Sequence, residues 1–153
     1  MVGVPVAVWK RTHLLLPDGW YEVPNRSPRE YRRAVAGAGV LQVSHLPPRP
    51  QVRGGDDDID DALTDLLAES VDAMRLSEPL SCATGPCTYG RYVTAVFQHP
   101  EQGRVRVWFL GRPDEPLLFA TFVKQAAAGW EEESADAQAM MESADLREVE
   151  PPI

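Results

Sequence analysis

The spacing of apolar residues changes along the chain, and each change marks a candidate element. Across residues 4–16, valines, Trp9 and the run Leu14-Leu15-Leu16 end at Pro17-Asp18-Gly19. That triplet sets a tight turn before Trp20-Tyr21-Glu22-Val23, so a hairpin is predicted. Ser27-Pro28-Arg29-Glu30 has the form of a helix start, with a serine cap, a proline at the first helical position and a glutamate three residues after the cap. This predicts a helix to about Ala36, with Tyr31, Ala34, Val35 and Ala38 on one side and Gly37 and Gly39 as its stop. Val40 to Leu46 reads as a strand. Residues 47–58 combine three prolines, two glycines and a charge reversal, which predicts an exposed linker over about 47–57.

The clearest helical period follows. Ile59, Leu63, Leu66, Leu67, Ser70 and Met74 share one stripe, with Asp61, Asp65 and Asp72 opposite, predicting an amphipathic helix over 58–76. Beyond Ser81-Cys82-Ala83-Thr84-Gly85-Pro86-Cys87, three strands are predicted at Arg91 to Gln98, Arg104 to Leu110 and Leu117 to Val123. Their short polar connectors, His99 to Gly103 and Gly111 to Pro116, favour antiparallel neighbours. In the middle strand Arg104 and Arg106 alternate with Val105, Val107 and Phe109. One face is therefore expected to meet water, with Trp108 as an aromatic patch upon it. Trp130 to Ala144 is predicted helical, and residues 146–153 are predicted to be a short tail. The expected fold is α+β: an antiparallel β-meander sheet packed with two to three helices in a single domain.

Length and composition agree with one domain, since 153 residues with 44% hydrophobic content can bury a sizeable core. No window has the eighteen or so apolar residues of a membrane helix, and the amino terminus lacks a charged secretory leader. A soluble, cytoplasmic protein with no membrane partner is the resulting expectation. Sparse Lys, Asn and Ile beside abundant Arg, Ala, Gly and Pro point to a GC-rich, bacterial genome.

Charge adds a second layer. Residues 1–55 carry eight Lys or Arg against Asp18, Glu22 and Glu30, a balance of +5, whereas the remainder carries seven against twenty, a balance of −13; together they give −8. Either the halves attract each other within one fold, or each sign faces a different partner. Arg26, Arg29, Arg32 and Arg33 cluster on the first predicted helix, but the overall acidity weighs against nucleic acid. An acidic partner or the chain's own acidic helices would satisfy them equally well.

The candidate chemistry is thin. Asp56 to Asp61 invites a calcium reading, but an EF-hand loop starting at Asp56 needs glycine where Asp61 stands and glutamate where Leu67 stands. No metal or cofactor is expected. Gln125-Ala-Ala-Ala-Gly129 departs from the Gln/Arg-x-x-Gly-x-Gly/Ala cradle of acetyltransferases of the GNAT type, whose element order the predicted one resembles, and no family is assigned. Cys82 and Cys87 lack the second pair that zinc needs and the spacing of a redox motif, so they read as reduced thiols at a corner between helix and sheet. No catalytic residue is named.

These features lead to the expectation of a small acidic intracellular protein-binding module of the immunity, antitoxin or secretion-chaperone kind. Its partner would be another, basic protein, met by Asp61, Asp65 and Asp72 on one helix and by Glu131, Glu132 and Glu133 on the other, with Trp108 or Trp130 as the apolar anchor. Two alternatives stand beside it: a small enzyme or metal-binding protein using Cys82 and Cys87 with a histidine such as His99, or a component of a larger assembly. Oligomeric state is left open.

Overall fold

The computed structural model describes residues 9–149. The described residues form an α+β fold with an antiparallel sheet and two helices. Its elements in order are β1 (Trp9–His13), β2 (Trp20–Val23), β3 (Arg29–Arg33), β4 (Val40–Leu46), α1 (Asp56–Ala73), β5 (Ser81–Pro86), β6 (Arg91–His99), β7 (Gly103–Gly111), β8 (Leu117–Lys124), α2 (Trp130–Ser143) and β9 (Asp145–Val149). Seven strands form one sheet in the order β2-β3-β4-β8-β7-β6-β5, and β1 pairs separately with β9. Every pairing is antiparallel. The segment containing α1 carries the chain from β4, near the middle of the sheet, to β5 at its far edge.

The strands β6, β7 and β8 lie close to their predicted bounds, because each is a run rich in apolar, β-branched and aromatic residues between Gly- or Pro-containing turns. What differs is that both faces of this sheet are covered. Val105, Val107 and Phe109 of β7 meet Ile59, Leu63, Leu66 and Leu67 of α1 in one core. Trp108 and Leu110, on the opposite face, join Trp130, Ala137, Met140 and Met141 of α2 in a second. The face expected to meet water is therefore the floor of the second core, and Trp108 is wholly buried.

The predicted helix from Ser27 is instead the strand β3. Its capping signature is local, whereas pairing is tertiary: β3 sits between β2 and β4, with Tyr31 opposite Glu22 on one side and Leu41 on the other. Ladders on both sides, together with burial of Tyr31, outweigh two turns of helix that would be marginal on their own. Glu30, read as a capping residue, accepts a hydrogen bond from Gln42 Nε2 at 3.0 Å.

Three smaller differences follow the same logic. The predicted tail begins inside β9, which pairs with β1 from Thr12↔Leu146 to Trp9↔Val149. The linker after β4 is mostly exposed, but Val52 is buried beneath α1, and α1 begins at Asp56, so the last two linker positions are helical. Ser81–Pro86, read as a corner, is an edge strand that pairs with β6 from Ser81↔Val96 to Pro86↔Arg91.

Candidate functional site

The acidic side chains predicted to meet a partner fall into two groups. On α1, Asp61, Asp65 and Asp72 are all exposed, at the helical spacing that puts them along one side. The helix holds this side outward because Leu63, Leu66 and Leu67 are drawn into the core and because Arg91 of β6 grips Asp60 through two hydrogen bonds of 2.9 and 2.7 Å. Asp58, Asp61 and Asp65 border a shallow depression of about 470 Å³ with Gln51 and Arg53.

The second group, on α2, is divided. Glu131 and Glu132 are exposed, and Glu132 pairs with Arg33 of β3 at 2.6 Å. This pair joins the basic and acidic halves of the chain. Glu133 points the other way. It is buried, its Oε2 lies 2.6 Å from Lys124 Nζ, and its Oε1 accepts the Gly39 N–H at 2.8 Å. Lys124 Nζ also donates to the Gly37 carbonyl at 2.6 Å. Glu133 thus clasps α2, β8 and the β3–β4 turn together and offers nothing to a partner.

Neither predicted aromatic anchor is at the surface. Trp130 is buried, with its ring 5.5 Å from that of Phe122 and the Arg104 guanidinium 5.7 Å above it. Trp108 donates its indole N–H to Gln138 Oε1 at 2.8 Å, with the Arg106 guanidinium 4.9 Å over the ring. Arg106 itself donates to Thr94 Oγ1, Ser134 Oγ and Gln138 Oε1. Burial lowers its pKa, since the charged form loses hydration. The arginines of β7 that suggested a wet face are polar struts beneath α2.

Sequence reasoning passed over a groove between α1 and β5. It has a volume of about 530 Å³ and a mainly apolar lining that includes Leu67, Val71, Leu76, Pro79, Cys82 and Phe97, with Asp72 and Glu78 at its margin. Leu80 through Thr84 are all exposed here. One side of β5 pairs with β6, while the other is the open edge of the sheet. Such edges are usually guarded by charged residues or an early proline; β5 has no charge and reaches proline only at its last residue, Pro86. The uncharged run Leu80 to Gly85 was visible in the sequence, but its exposure depends on how far α1 reaches.

The two cysteines are free thiols and occupy different settings. Cys82 is exposed beside this groove. Cys87 starts the β5–β6 turn, exchanging backbone hydrogen bonds with Gly90 at 3.0 and 3.1 Å. Burial raises the Cys87 pKa and so holds the group as a thiol. Among the described residues, no three His, Cys, Asp or Glu side chains are placed to share a metal ion. No described helix is long and apolar enough to cross a membrane.

Scanned against protein-family models the chain matches none, and no curated protein matches it in sequence. Solved structures do resemble it. LpqN, a protein involved in cell envelope biogenesis of Mycobacterium tuberculosis, superposes with a TM-score of 0.55 at 11% identity, over 91% of this chain and 84% of that one. The cyanobacterial PsbP protein CyanoP of Synechocystis gives a TM-score of 0.47 at 15% identity, over 96% and 97% of the two chains. The likeness to LpqN is one of fold.

Proposed function

We propose that the protein is a protein-binding module that takes an extended, basic segment of its partner onto the open edge of β5. The observation that carries this reading is the coincidence of three features: an uncharged edge strand, an apolar groove beside it, and the carboxylates of Asp72 and Glu78 at the groove's margin. An added strand would satisfy the free backbone groups of β5, and its alternate side chains would fill the groove. Asp72 and Glu78 would attract Lys or Arg flanking those apolar positions, and Asp61 and Asp65, beside the neighbouring depression on α1, would add attraction at longer range. A second copy of the chain fits less well, because antiparallel β5–β5 pairing puts both helices α1 on the same face of the joined sheet. Glu131 keeps a place on the margin of α2, whereas Trp108, Trp130 and Glu133 are withdrawn from the docking surface by their burial.

The test is a photo-crosslinker at Ala83, followed by quantitative binding of the partner captured in the native host. Thr84→Pro, at a position whose amide faces the open edge in the register set by the Cys87–Gly90 pair, should abolish capture while leaving the thermal unfolding midpoint near that of the wild type. Asp72→Lys with Glu78→Lys should weaken binding roughly tenfold or more, and so should raising NaCl from about 50 mM to about 500 mM. Recovery of no partner at Ala83, or binding indifferent to both salt and charge reversal, refutes the reading.

A further inference from the structure

On the opposite side of the sheet from the α1 groove, β1 and β9 lie beside β2 and β3 and enclose a cleft of about 370 Å³. Its lining includes Arg11, Arg29 and Arg147 and a single carboxylate, Glu22, with His13 beside them and Tyr31, Leu14 and Leu16 as less polar walls. Elsewhere the protein is strongly acidic, with a net charge of −8. Three guanidiniums against one carboxylate leave this cleft at +2. Arg11 and Arg147 are exposed, so their guanidiniums are open to a ligand, while Arg29 is partly buried.

The arrangement is partly locked. Arg29 is held by Glu22 and donates to the Thr12 carbonyl at 2.7 Å, and its guanidinium lies 5.8 Å from the centre of the Tyr31 ring. Glu22 also draws Arg11 to 3.7 Å, so one carboxylate orients two guanidiniums. Burial raises the Tyr31 pKa, so its phenol stays a neutral hydrogen-bonding group. A second hollow of about 280 Å³, edged by Ser27, Ser44 and His45, shares Arg11, Thr12 and Arg29 with the first.

We infer that this cleft binds a phosphate monoester bearing an apolar group. A monoester carries about −1.5 to −2 charge near pH 7, which matches the surplus of the lining, and guanidinium forks suit its oxygens. The volume is that of a small-molecule site, and Leu14, Leu16 and Tyr31 supply contact for the apolar part. Arg11 and Arg147 make the contacts to the phosphate, and Arg29 with Glu22 holds the geometry. The inference does not depend on the docking role of β5, which uses the other face of the sheet.

Isothermal titration of the full chain with 1-naphthyl phosphate tests it, with inorganic phosphate and 1-naphthoate as partial ligands. Saturable binding of the ester is expected, with both partial ligands weaker. Arg147→Gln and Arg11→Gln should each weaken the ester about tenfold or more, the worth of one charge-assisted hydrogen bond. No saturable binding of the ester, partial ligands that bind as tightly, or both variants behaving as wild type overturns the inference. Should a variant fail to fold, amide shifts in the wild type decide: changes centred on Thr12, His13, Tyr31 and Arg147 support the site, and changes centred elsewhere overturn it. Given binding of the soluble ester, phosphatidic-acid vesicles identify the source. Co-sedimentation that the ester reverses assigns a lipid headgroup, and absence of co-sedimentation assigns a free ester.

Discussion

Replacing Glu133 by alanine removes one half of an ion pair whose side chains are only 2% and 3% exposed. The Lys124 ammonium would remain buried with the Gly37 carbonyl as its hydrogen-bond partner, and the Gly39 N–H would lose its acceptor. Breaking such a pair costs about 3–5 kcal/mol, because an uncompensated charge is left in a medium that solvates it poorly. For a chain of this size a loss of about 4 kcal/mol lowers the melting temperature by roughly 8–16 °C. It is also a large share of the 5–15 kcal/mol or so that holds a typical domain folded. The double variant Lys124→Met with Glu133→Leu removes both charges at once. It should lose only about 1–3 kcal/mol, chiefly for the orphaned Gly39 amide, and so be more stable than Glu133→Ala. Urea and thermal unfolding of Glu133→Ala, of the single variants Lys124→Met and Glu133→Leu and of their double, followed by tryptophan fluorescence and circular dichroism, measure the coupling directly. Additive losses, or a Glu133→Ala cost below about 1 kcal/mol, would mean that the pair behaves as an exposed one and that the clasp has been misread.

Thiol labelling should be biphasic: exposed Cys82 reacts first and Cys87 much more slowly, and Cys82→Ser should remove the fast phase alone. Equal rates would contradict the burial that raises the Cys87 pKa. Tyr89, whose hydroxyl donates to the Pro116 carbonyl at 2.5 Å, has its pKa pushed up to about 12 by burial, with Arg112 opposing the shift. The folded state therefore holds its proton longer than the unfolded chain, so stability should fall from about pH 10 to about pH 12, and Tyr89→Phe should flatten that fall; an unchanged slope counts against the assignment. Gly39→Ala would put a methyl 2.4 Å from the Phe122 ring and 2.9 Å from the Val123 carbonyl. It should cost about 1–3 kcal/mol through overpacking, read as a lower urea midpoint with an unchanged slope.

How much of this was legible in sequence depends on the range of the force that decided each element. The α1 helix is written in local periodicity and the strands β6, β7 and β8 in apolar runs between turn residues, and all stand within a few residues of their predicted bounds. The segment from Ser27 to Arg33 carries a helix-start signature that is equally local, yet it loses to pairing with β2 and β4. No local signal announces that Val40 to Leu46 will be available as a partner. Trp108, Trp130 and Glu133 show the same limit at the candidate site. Alternation correctly put Trp108 on the face of β7 opposite Val107, but whether that face meets water depends on where α2 lands. Within Glu131 to Glu133 three identical side chains meet three fates, set by helical phase: Glu131 in solvent, Glu132 on Arg33, Glu133 on Lys124.

The sequence by itself determined the amphipathic α1, its acidic outer side, the antiparallel strands of the second half and the charge contrast between the two halves. All of these follow from residue order within one element or from simple addition of charge. Tertiary structure decided the rest: both faces of the sheet are covered, β5 is left as an uncharged edge beside a groove, and Arg11, Arg29 and Arg147 line one cleft with Glu22. The physical reason is that burial and electrostatic surplus belong to surfaces, and a surface here is assembled from strands more than a hundred residues apart, as when Arg147 of β9 comes to lie opposite Arg11 of β1.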